Sequence, residues 1–519
     1  MQIEAREMKI LKILLIFLLA VLYAINVFST RDPDLGWHLR AGEIVEQTGQ
    51  VPHEEPWLYT MPNHKWIDHE WLVDSVFWYF WKSDLWYVTQ IIFLLLSLLP
   101  FVWWIKKISF PLELYFAALG GYMFISISGT RPQILSVAIF FLVAHLFYQR
   151  FILDRQKKYF WLLPFIFILW SNLHAGFMAG LLLFGLYLVY PFFVAVYKKN
   201  KYIHLKTHYN LYVILLLSII TTFFTPYGTS LWREIWDSST FSQLSKISEW
   251  ASSFASWPIL FPLFISPLLI LVLTFYRKIH PTLLITTGFF AIESILHTRM
   301  LPFLLFAALP LIHICASEFN ALINTQKTIR RFETYFYAVL FSSIIIAMSL
   351  SLYSYILHPF SRPSFLEGEV LKSLQSRVQG NVFNDYNLGG SLIMGSPTSH
   401  FFIDGRAPHW KNDAGDSPFA DYLNIIHDGE GLKNIFLKHD VSIVVLSSYF
   451  DNAEFRRSLN ERMGFFPPPL RAYISGLIPL QDSAFYTALR ANNWCEVYRN
   501  DTFLVLVSPE QSLCLRYPQ

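Results

Sequence analysis

The stretch WYVTQIIFLLLSLLPFVWWI, residues 86–105, contains no charged side chain over its whole length. An α-helix of about 20 residues is roughly 30 Å long, which matches the hydrocarbon thickness of a bilayer. Of the 519 residues, 54% are hydrophobic and only 15% are charged, whereas soluble domains have about 25% charged residues. The sequence therefore predicts an integral membrane protein rather than a soluble one.

Apolar segments of this kind recur through the first 360 residues and predict a polytopic bundle of about eleven transmembrane helices. Several segments are short, so a merged or re-entrant pair is an alternative. The segments lie at about 10–29, 86–105, 112–128, 133–149, 159–172, 176–197, 210–225, 258–276, 281–297, 300–316 and 335–357.

The Lys and Arg residues predict the orientation, because short cytoplasmic loops carry an excess of them. All basic clusters fall on one alternating set of loops, whereas the opposite short loops hold only Arg131, Arg299 or no basic residue. We therefore expect a cytoplasmic N-terminus and, with an odd number of spans, an extracytoplasmic C-terminus. The clusters are Arg6/Lys9/Lys12, Lys106/Lys107, Arg155/Lys157/Lys158, Lys198/Lys199/Lys201/Lys206, Arg277/Lys278 and Lys327/Arg330/Arg331.

Two domains are predicted, a transmembrane domain over 1–360 with an external loop at 30–85, and an extracytoplasmic soluble α/β domain over 361–519. Strands are expected at Asn381–Asn384, His400–Asp404 and Val441–Leu446, with helices near 417–437 and 482–491. A terminal hairpin is expected to pair Trp494–Tyr498 with Thr502–Val507.

The cysteines and the net charge exclude two classes of function. Cys315, Cys495 and Cys514 lack metal-ligand spacing, which excludes a zinc ribbon. Cys495 and Cys514 share the predicted extracytoplasmic domain, where both a disulfide and two free thiols remain open. A net charge of +3 does not indicate nucleic-acid binding.

Two carboxylates follow the first apolar segment in the run Arg31-Asp32-Pro33-Asp34. Acids at the exit of a membrane helix are suited to act as a general base or as ligands of a divalent metal, because partial desolvation raises a carboxylate's pKa toward the working range. The alternative is a solvated pair at the start of a helix, with Asp34 as its N-cap.

Other polar residues collect on the same predicted extracytoplasmic side. His69 and Glu70 precede an amphipathic helix at about 69–83 and could serve either as its cap or in a site. The remaining residues are Arg131, His174, Glu249 and Arg299, of which the arginines suit an anionic phosphate. Snorkelling to lipid headgroups is the alternative for the arginines, and helix capping is the alternative for His174. After a predicted strand, Asp404 and Arg406 are either a functional loop or a structural turn.

The run Asp34-Leu35-Gly36-Trp37-His38-Leu39-Arg40, followed by Gly49-Gln50-Val51-Pro52, resembles the first external loop of GT-C-fold membrane glycosyltransferases, particularly the catalytic subunits of oligosaccharyltransferases. A longer pattern resembles a group of uncharacterised bacterial GT-C-like membrane proteins. It comprises Trp66…His69-Glu70-Trp71-Leu72, Arg131-Pro132-Gln133, Asn172-Leu173-His174, Pro226-Tyr227-Gly228, Glu249-Trp250, Val382 to Gly390 and Phe402 to Arg406.

The resemblance implies that Asp34 is the catalytic, metal-associated aspartate and that His38 and Arg40 are the flanking polar residues. Two departures from the oligosaccharyltransferase pattern stand out. The loop Gly129-Thr130-Arg131-Pro132-Gln133 has no acid where that family has a second acidic pair, and the Trp-Trp-Asp run of that family is absent. Glu70 or Glu249 could complete an acidic site.

Together these features predict an inverting membrane glycosyltransferase in a bacterial cytoplasmic (inner) membrane. The donor would be a polyprenyl-phosphate sugar, and the acceptor a lipid, glycan or protein on the extracytoplasmic face. Catalytic roles fall to Asp34, Asp32 and Glu70, with Mg²⁺ or Mn²⁺ as a possible cofactor held by Asp34. Substrate binding falls to His38, Arg40, His69, Arg131, His174, Glu249, Arg299, Asp404 and Arg406. Membrane lipids are expected partners and nucleic acid is not. The alternatives are a transporter or flippase, a polymerase or ligase of lipid-linked glycans, and a non-catalytic assembly protein.

Overall fold

A computed structural model describes residues 5–29, 32–155, 157–197, 201–324, 365–375, 377–428, 431–451 and 483–514. The chain forms two compact units. Unit 1 contains residues 1–32 and 69–363, and unit 2 contains residues 33–68 and 364–519. This division differs from the sequence-based one, because residues 33–68 of the predicted external loop belong with the C-terminal residues. The expected boundary near residue 360 lies outside the described residues.

The described residues form the following helices and strands. The helices are α1 (Ala5–Ser29), α2 (Leu35–Thr48), α3 (Trp71–Lys82), α4 (Trp86–Lys107), α5 (Pro111–Met123), α6 (Gln133–Phe147), α7 (Leu163–Leu173), α8 (Phe177–Tyr197), α9 (Lys201–Thr221), α10 (Thr229–Ser239), α11 (Ser253–Ser256), α12 (Leu260–Phe275), α13 (Pro281–Leu296), α14 (Leu301–Ala307), α15 (Leu309–Asn324), α16 (Leu366–Gln375), α17 (Gly389–Gly395), α18 (Pro418–Asp428), α19 (Leu432–Lys438) and α20 (Ala484–Ala491). The strands are β1 (Asn381–Asn384), β2 (Val441–Ser447), β3 (Cys495–Arg499) and β4 (Phe503–Val507).

Unit 1 is a multi-pass helical bundle with fewer full-length spans than the sequence predicts. Among the described residues, five helices are long and apolar enough to cross a membrane, and a sixth span results if α14 and α15, which meet at a 57° bend, count as one. Three shorter apolar stretches are Lys158–Leu173, which includes α7, Tyr209–Thr221, which is the apolar part of α9, and Pro281–Leu296, which is α13. The count of about eleven is therefore not confirmed, and the segment predicted at 335–357 lies outside the described residues.

Aromatic side chains pack the bundle, which explains why Phe is so frequent in this sequence. Tyr23 on α1 lies 5.9 Å from the ring of Phe101 on α4 and 5.6 Å from that of Phe124. At the end of α1, the Asn26 amide donates to the carbonyl of Ile125 (2.9 Å) and to the Ser128 hydroxyl (3.0 Å). These bonds hold the exit of α1 against the turn that follows α5, and Asp32 follows this anchored end.

Unit 2 is built on a four-stranded sheet of order β1-β2-β4-β3. The central strand β2 pairs parallel with β1 and antiparallel with β4, and its run VSIVVLS is almost entirely buried, as is usual for a strand covered on both faces. The hairpin β3–β4 confirms the predicted terminal hairpin, with Cys495 opposite Val507. The α/β character of the C-terminal residues is therefore confirmed.

Residues 33–68 join unit 2 through a close contact between the backbones of α2 and α17. A Cβ atom on Gly36 would lie 1.8 Å from the carbonyl oxygen of Gly390, and one on Gly390 would lie 2.2 Å from that of Pro33. No larger side chain fits between these helices. The Arg40 guanidinium also donates to the Met394 carbonyl at 2.6 Å. Both glycine-containing motifs that carry the family resemblance thus serve this packing.

The predicted strand His400–Asp404 is not a strand. Only Phe401 makes isolated bridges, to Leu58 and Val382. The Asn384 side chain replaces a ladder, because its Oδ1 accepts the Phe402 amide at 3.0 Å and its Nδ2 donates to the Ile403 carbonyl at 2.8 Å. A side-chain amide that satisfies the backbone removes the need for a neighbouring strand.

Cys495 and Cys514 form a disulfide, with their Cα atoms 5.3 Å apart. It closes a loop with a sequence separation of 19 residues, so replacing both cysteines with Ser should lower the free energy of unfolding of unit 2 by about 3 kcal/mol. Urea unfolding of the full chain, followed by proteolysis of unit 2, measures this loss. Cys315→Ala removes a buried thiol without a cross-link and is the control; equal unfolding midpoints for both variants would contradict the prediction.

Candidate functional site

Charged and imidazole side chains stand where the helices of unit 1 meet their connecting loops. Together with His69 we call them the polar cluster. They are Asp32 after α1, Glu70 before α3, Arg131 before α6, His174 after α7, Glu249 in the 3₁₀ turn Ser248–Trp250, and Arg299 in the 3₁₀ turn Thr298–Met300. The structure brings together seven of the residues that the sequence predicts for a site.

Arg131 joins two acids from distant parts of the chain. Its Nε lies 3.0 Å from Asp32 Oδ2, and its Nη1 donates to Glu249 Oε1 at 2.8 Å. The Asp32 side chain is 9% exposed and that of Arg131 is 22% exposed. At this burial an ion pair is screened less than on an open surface, so Arg131 is held between its acids rather than free to snorkel.

Glu249 in turn lies between two arginines. Its Oε2 is 3.7 Å from Arg299 Nη1, whereas Arg131 contacts its Oε1. The Arg299 guanidinium also lies over the indole of Trp250, 5.3 Å from the ring centroid. The backbone of that turn is fixed because His297 Nδ1 contacts the Trp250 carbonyl at 3.0 Å. Two guanidinium groups thus converge on one carboxylate.

The His174 ring has a defined tautomer. Its Nδ1 accepts the backbone N–H of Gly176 at 2.8 Å and lies 2.9 Å from the Ser136 hydroxyl, which itself accepts from the Trp170 indole at 2.7 Å. A nitrogen that accepts an amide N–H carries no proton of its own, so the proton of the neutral ring is on Nε2. Nε2 lies 3.4 Å from Glu70 Oε1 and 3.5 Å from Arg299 Nη2, and since arginine only donates, the tautomer assignment rests on the Nδ1 contacts.

Glu70 is the acid at the other end of the polar cluster. It is buried, at the N-cap position of α3, and its Oε1 lies 3.8 Å from His69 Nε2 as well as facing His174. The loop beside it is fixed because the Trp71 indole donates to Asn172 Oδ1 at 3.0 Å. The N-cap position makes no side-chain capping bond, so the Glu70 carboxylate is directed to the histidines.

The chemistry of the polar cluster follows from its composition. Three carboxylates alternate with two guanidinium groups, and His174 presents an N–H donor. An anionic ligand such as a phosphate can replace a carboxylate at a guanidinium group because both bind it in the same bidentate geometry. The cluster therefore places guanidinium groups, of the kind that bind phosphate, beside carboxylates that can accept a proton.

In unit 2 the structure places Asp34 at the start of α2. It occupies the N-cap position without a side-chain capping bond, and the Trp37 indole donates to its Oδ1 at 3.0 Å. The carboxylate packs against Gly405, where a Cβ atom would lie 2.0 Å from Oδ1. His38 is buried beside Trp37, and Arg40 is ion-paired with Glu43.

Asp404 and Arg406 lie inside unit 2 and not on a binding surface. Arg406 pairs with Asp404 and, at 2.6 Å, with Glu55, and these three side chains are 4% exposed or less. Four indoles surround its guanidinium at 4.4–5.7 Å, those of Trp37, Trp57, Trp66 and Trp410. Burial lowers the pKa of Arg406, but the charges of Asp404 and Glu55 outweigh it and the net shift is upward. This is the structural turn that the sequence left as the alternative.

Sequence reasoning missed the residues that support these side chains. Ser136 and Trp170 lie inside apolar helices, and neither carries a signal that it orients His174. Gly176 is part of this support, since a Cβ atom there would lie 2.4 Å from Ser136 Oγ. Glu55 also went unassigned, although a carboxylate among three tryptophans in one short loop is a signal for a buried cation.

The polar cluster does not have the arrangement of a metal site. Within the described ranges, no three His, Cys, Asp or Glu side chains converge on a point that could hold an ion. The oxygens of Asp32 and Glu249 are directed at guanidinium groups.

Three solved structures of the oligosaccharyltransferase of Archaeoglobus fulgidus are similar to this chain. The apo form shares 11% identity over 87% of this chain and 71% of that one, with a TM-score of 0.50. The complex of AglB with an inhibitory peptide and a dolichol-phosphate shares 10% identity over 91% and 72%, with a TM-score of 0.54. The form tethered to an acceptor peptide with an NVT sequon shares 10% over 88% and 70%, with a TM-score of 0.52.

No family model matches the sequence, and no curated protein matches it. At this identity the structural similarity shows the fold. The chain has the GT-C fold of these membrane proteins, which confirms the resemblance inferred from its motifs.

Proposed function

We propose that this protein is a membrane glycosyltransferase that moves a sugar from a polyprenyl-phosphate-linked donor to an acceptor on the extracytoplasmic face. The observation that carries the proposal is the polar cluster, in which Arg131 and Arg299 converge on Glu249 while Glu70 faces the N–H of His174. The shared fold supports it, because one of the similar structures was solved with a dolichol-phosphate.

In the proposed reaction an acceptor hydroxyl attacks the anomeric carbon of the donor sugar. The bond between that carbon and the phosphate oxygen breaks, and the phosphate leaves with the electron pair, which inverts the configuration. The hydroxyl proton passes to a carboxylate, the role that the family resemblance assigns to Asp34. Guanidinium groups stabilise the charge that develops on the phosphate, the role proposed for Arg131 and Arg299. In the second version of the proposal, Asp34 is a ligand of a divalent metal instead of the base.

The other polar residues have supporting roles in the proposal. Asp32 holds Arg131 through its Nε, and Glu70 is oriented by His174 and His69. His38 and Arg40 flank Asp34 in the sequence. Asp404 and Arg406 carry no substrate role, because they are buried and paired with each other. The cytoplasmic N-terminus belongs to the proposal and rests on the basic loops, and the bacterial inner membrane belongs to it through the resemblance to the bacterial GT-C-like group.

Transfer of radiolabelled sugar from polyprenyl-phosphate donors by the purified full chain tests the proposal directly. Arg131→Gln should lower transfer about 10- to 100-fold, since a hydrogen bond to a charged group contributes about 1.5–3 kcal/mol. Arg233→Gln is the matched control, because Arg233 is also paired with an acid but its side chain is 85% exposed. A chelator arm decides whether a divalent metal is required.

Each outcome of this assay has a defined meaning. Transfer that is reduced by Arg131→Gln and unchanged by Arg233→Gln supports the role of the polar cluster. Equal activity of both variants would remove Arg131 from the site. Wild-type protein that binds lipid-linked glycan but transfers sugar from no donor would contradict the transferase and favour the transporter alternative.

A further inference from the structure

A cavity of about 300 Å³ lies in unit 1 at the helix ends remote from the polar cluster. Helix α6 begins after Arg131 and α13 ends before Arg299. The cavity is lined at the opposite ends of these helices, by Arg150 beyond α6 and by His280 before α13. Helices of 15 and 16 residues separate the two places, a distance of about 23 Å along the axis.

The polar groups that line the cavity are mostly donors. Arg150 donates only, and His280 accepts the Thr282 amide on Nδ1 (3.3 Å), which leaves the proton of the neutral ring on Nε2. Burial lowers the pKa of His280, which favours the neutral ring. Tyr190 adds a hydroxyl beside this ring, with the two ring centroids 5.3 Å apart. A ligand for such a lining must be rich in acceptors.

Thr282 supplies a second, independent indication of a ligand. It is 1% exposed and lines the cavity, and its Oγ1 has no hydrogen-bond partner in the part of the chain that the structure describes. A buried hydroxyl without a partner costs roughly 1–3 kcal/mol. Among the described lining residues Asp154 is the single carboxylate; it is 69% exposed and pairs with Arg150 at 3.1 Å. An incoming anion can therefore replace it.

The surroundings indicate a lipid as the source of the anion. Phe151, Pro191 and Val194 form an apolar wall that continues along α8, one of the helices long enough to cross a membrane. The two loops beside the cavity carry Arg155, Lys158, Arg277 and Lys278. Basic pockets between transmembrane helices are typical binding places for anionic headgroups.

We propose that this cavity binds the phosphate headgroup of an anionic phospholipid, with Arg150, Thr282 and His280 as donors to the phosphate oxygens and Phe151 against the glycerol backbone. The turn Tyr148–Ile152, which carries Arg150 and Phe151, is a π-helix, a geometry that is frequent at functional sites. The site is separate from the sugar-transfer reaction and does not depend on it.

Native mass spectrometry of the detergent-purified full chain tests this site. The probes are phosphatidylglycerol, dioleoylglycerol, which has the same tails without phosphate, and inorganic phosphate. Wild-type protein should bind phosphatidylglycerol at least tenfold more tightly than dioleoylglycerol. Arg150→Gln should weaken that binding about tenfold and Thr282→Val about threefold, because each removes a donor to the anion. Arg233→Gln, another arginine paired with an aspartate four residues later, should leave it unchanged.

Three results would overturn the proposal. If the Arg150→Gln and Thr282→Val variants both bind phosphatidylglycerol as tightly as the Arg233→Gln variant does, the lipid adheres elsewhere on the protein. Equal binding of dioleoylglycerol would show an apolar groove without headgroup recognition. Inorganic phosphate that displaces the lipid at comparable concentration would assign the cavity to a free anion. Equal thermal midpoints of the variants are required first, so that a loss of binding is not a loss of fold.

Discussion

Replacing Asp34 with Asn should lower the rate of sugar transfer by about 10²- to 10⁴-fold while the protein stays folded, because that is the usual contribution of a general base. The amide keeps an oxygen that can accept the Trp37 indole N–H, now 3.0 Å from Oδ1, and it has nearly the same volume beside Gly405. It cannot accept the proton of an acceptor hydroxyl. The loss should appear in kcat with little change in KM, since the substitution removes proton transfer and not substrate binding.

The control for this substitution is Asp416→Asn, in the same unit. Asp416 is exposed and pairs with Lys438 at 2.9 Å, an interaction between exposed side chains that contributes little. Radiolabelled transfer, donor binding and the thermal midpoint are measured for wild type and both variants. If Asp34→Asn keeps wild-type kcat, Asp34 is not the base, and Asp32 or Glu70 of the polar cluster becomes the candidate. If donor binding is lost instead, Asp34 serves recognition.

Seven of the twelve residues predicted for one site meet in the polar cluster, whereas Asp34, His38, Arg40, Asp404 and Arg406 lie in unit 2, and the sequence did not predict which atoms would pair. Isolated charged residues and histidines in the loops that are poor in basic residues correctly indicated a cluster. A charged side chain near a membrane is costly without a partner. Arg131 and Arg299 were expected to face phosphate, and the structure shows them bonded to Asp32 and Glu249. Such pairing joins residues that are 50 (Glu249–Arg299), 99 (Asp32–Arg131) and 118 (Arg131–Glu249) positions apart, which no local pattern encodes.

The division into units was harder to predict for the same reason. Residues 33–68 follow an apolar segment directly, so they read as a loop of the membrane domain. Their place in unit 2 depends on Gly36 meeting Gly390, on the Thr60 hydroxyl donating to the Phe402 carbonyl at 2.7 Å, and on Glu55 meeting Arg406. Each contact links residues over three hundred positions apart. By contrast the terminal hairpin was predicted correctly, because a turn and two apolar runs are local signals.

Replacing Arg406 with Met should lower the free energy of unfolding of unit 2 by about 3–5 kcal/mol, because it leaves buried carboxylates without their cation. Met fills the space between the indoles but cannot donate to Glu55 or Asp404. The double variant Arg406→Met/Glu55→Gln should lose less than the single one, since it also removes a stranded charge. Arg377→Met, at an exposed position of the same unit, is the control. Urea titration with proteolysis of the unfolded fraction measures all four proteins.

The pH dependence of this loss has a definite sign. Burial raises the pKa of Glu55 above its ordinary 4.5, and the Arg406 charge opposes that shift. Without Arg406 the pKa of Glu55 must rise further, so the folded variant binds a proton more tightly than the unfolded chain does. Its stability is then fully present below about pH 4.5 and is lost as the pH rises through the raised pKa. The deficit of Arg406→Met should therefore be smallest in acid and largest at neutral pH. If the loss of stability in Arg406→Met is the same at every pH, the Arg406 cation stabilises unit 2 through the indoles and not through the carboxylates. The packing of neutral rings does not change with pH.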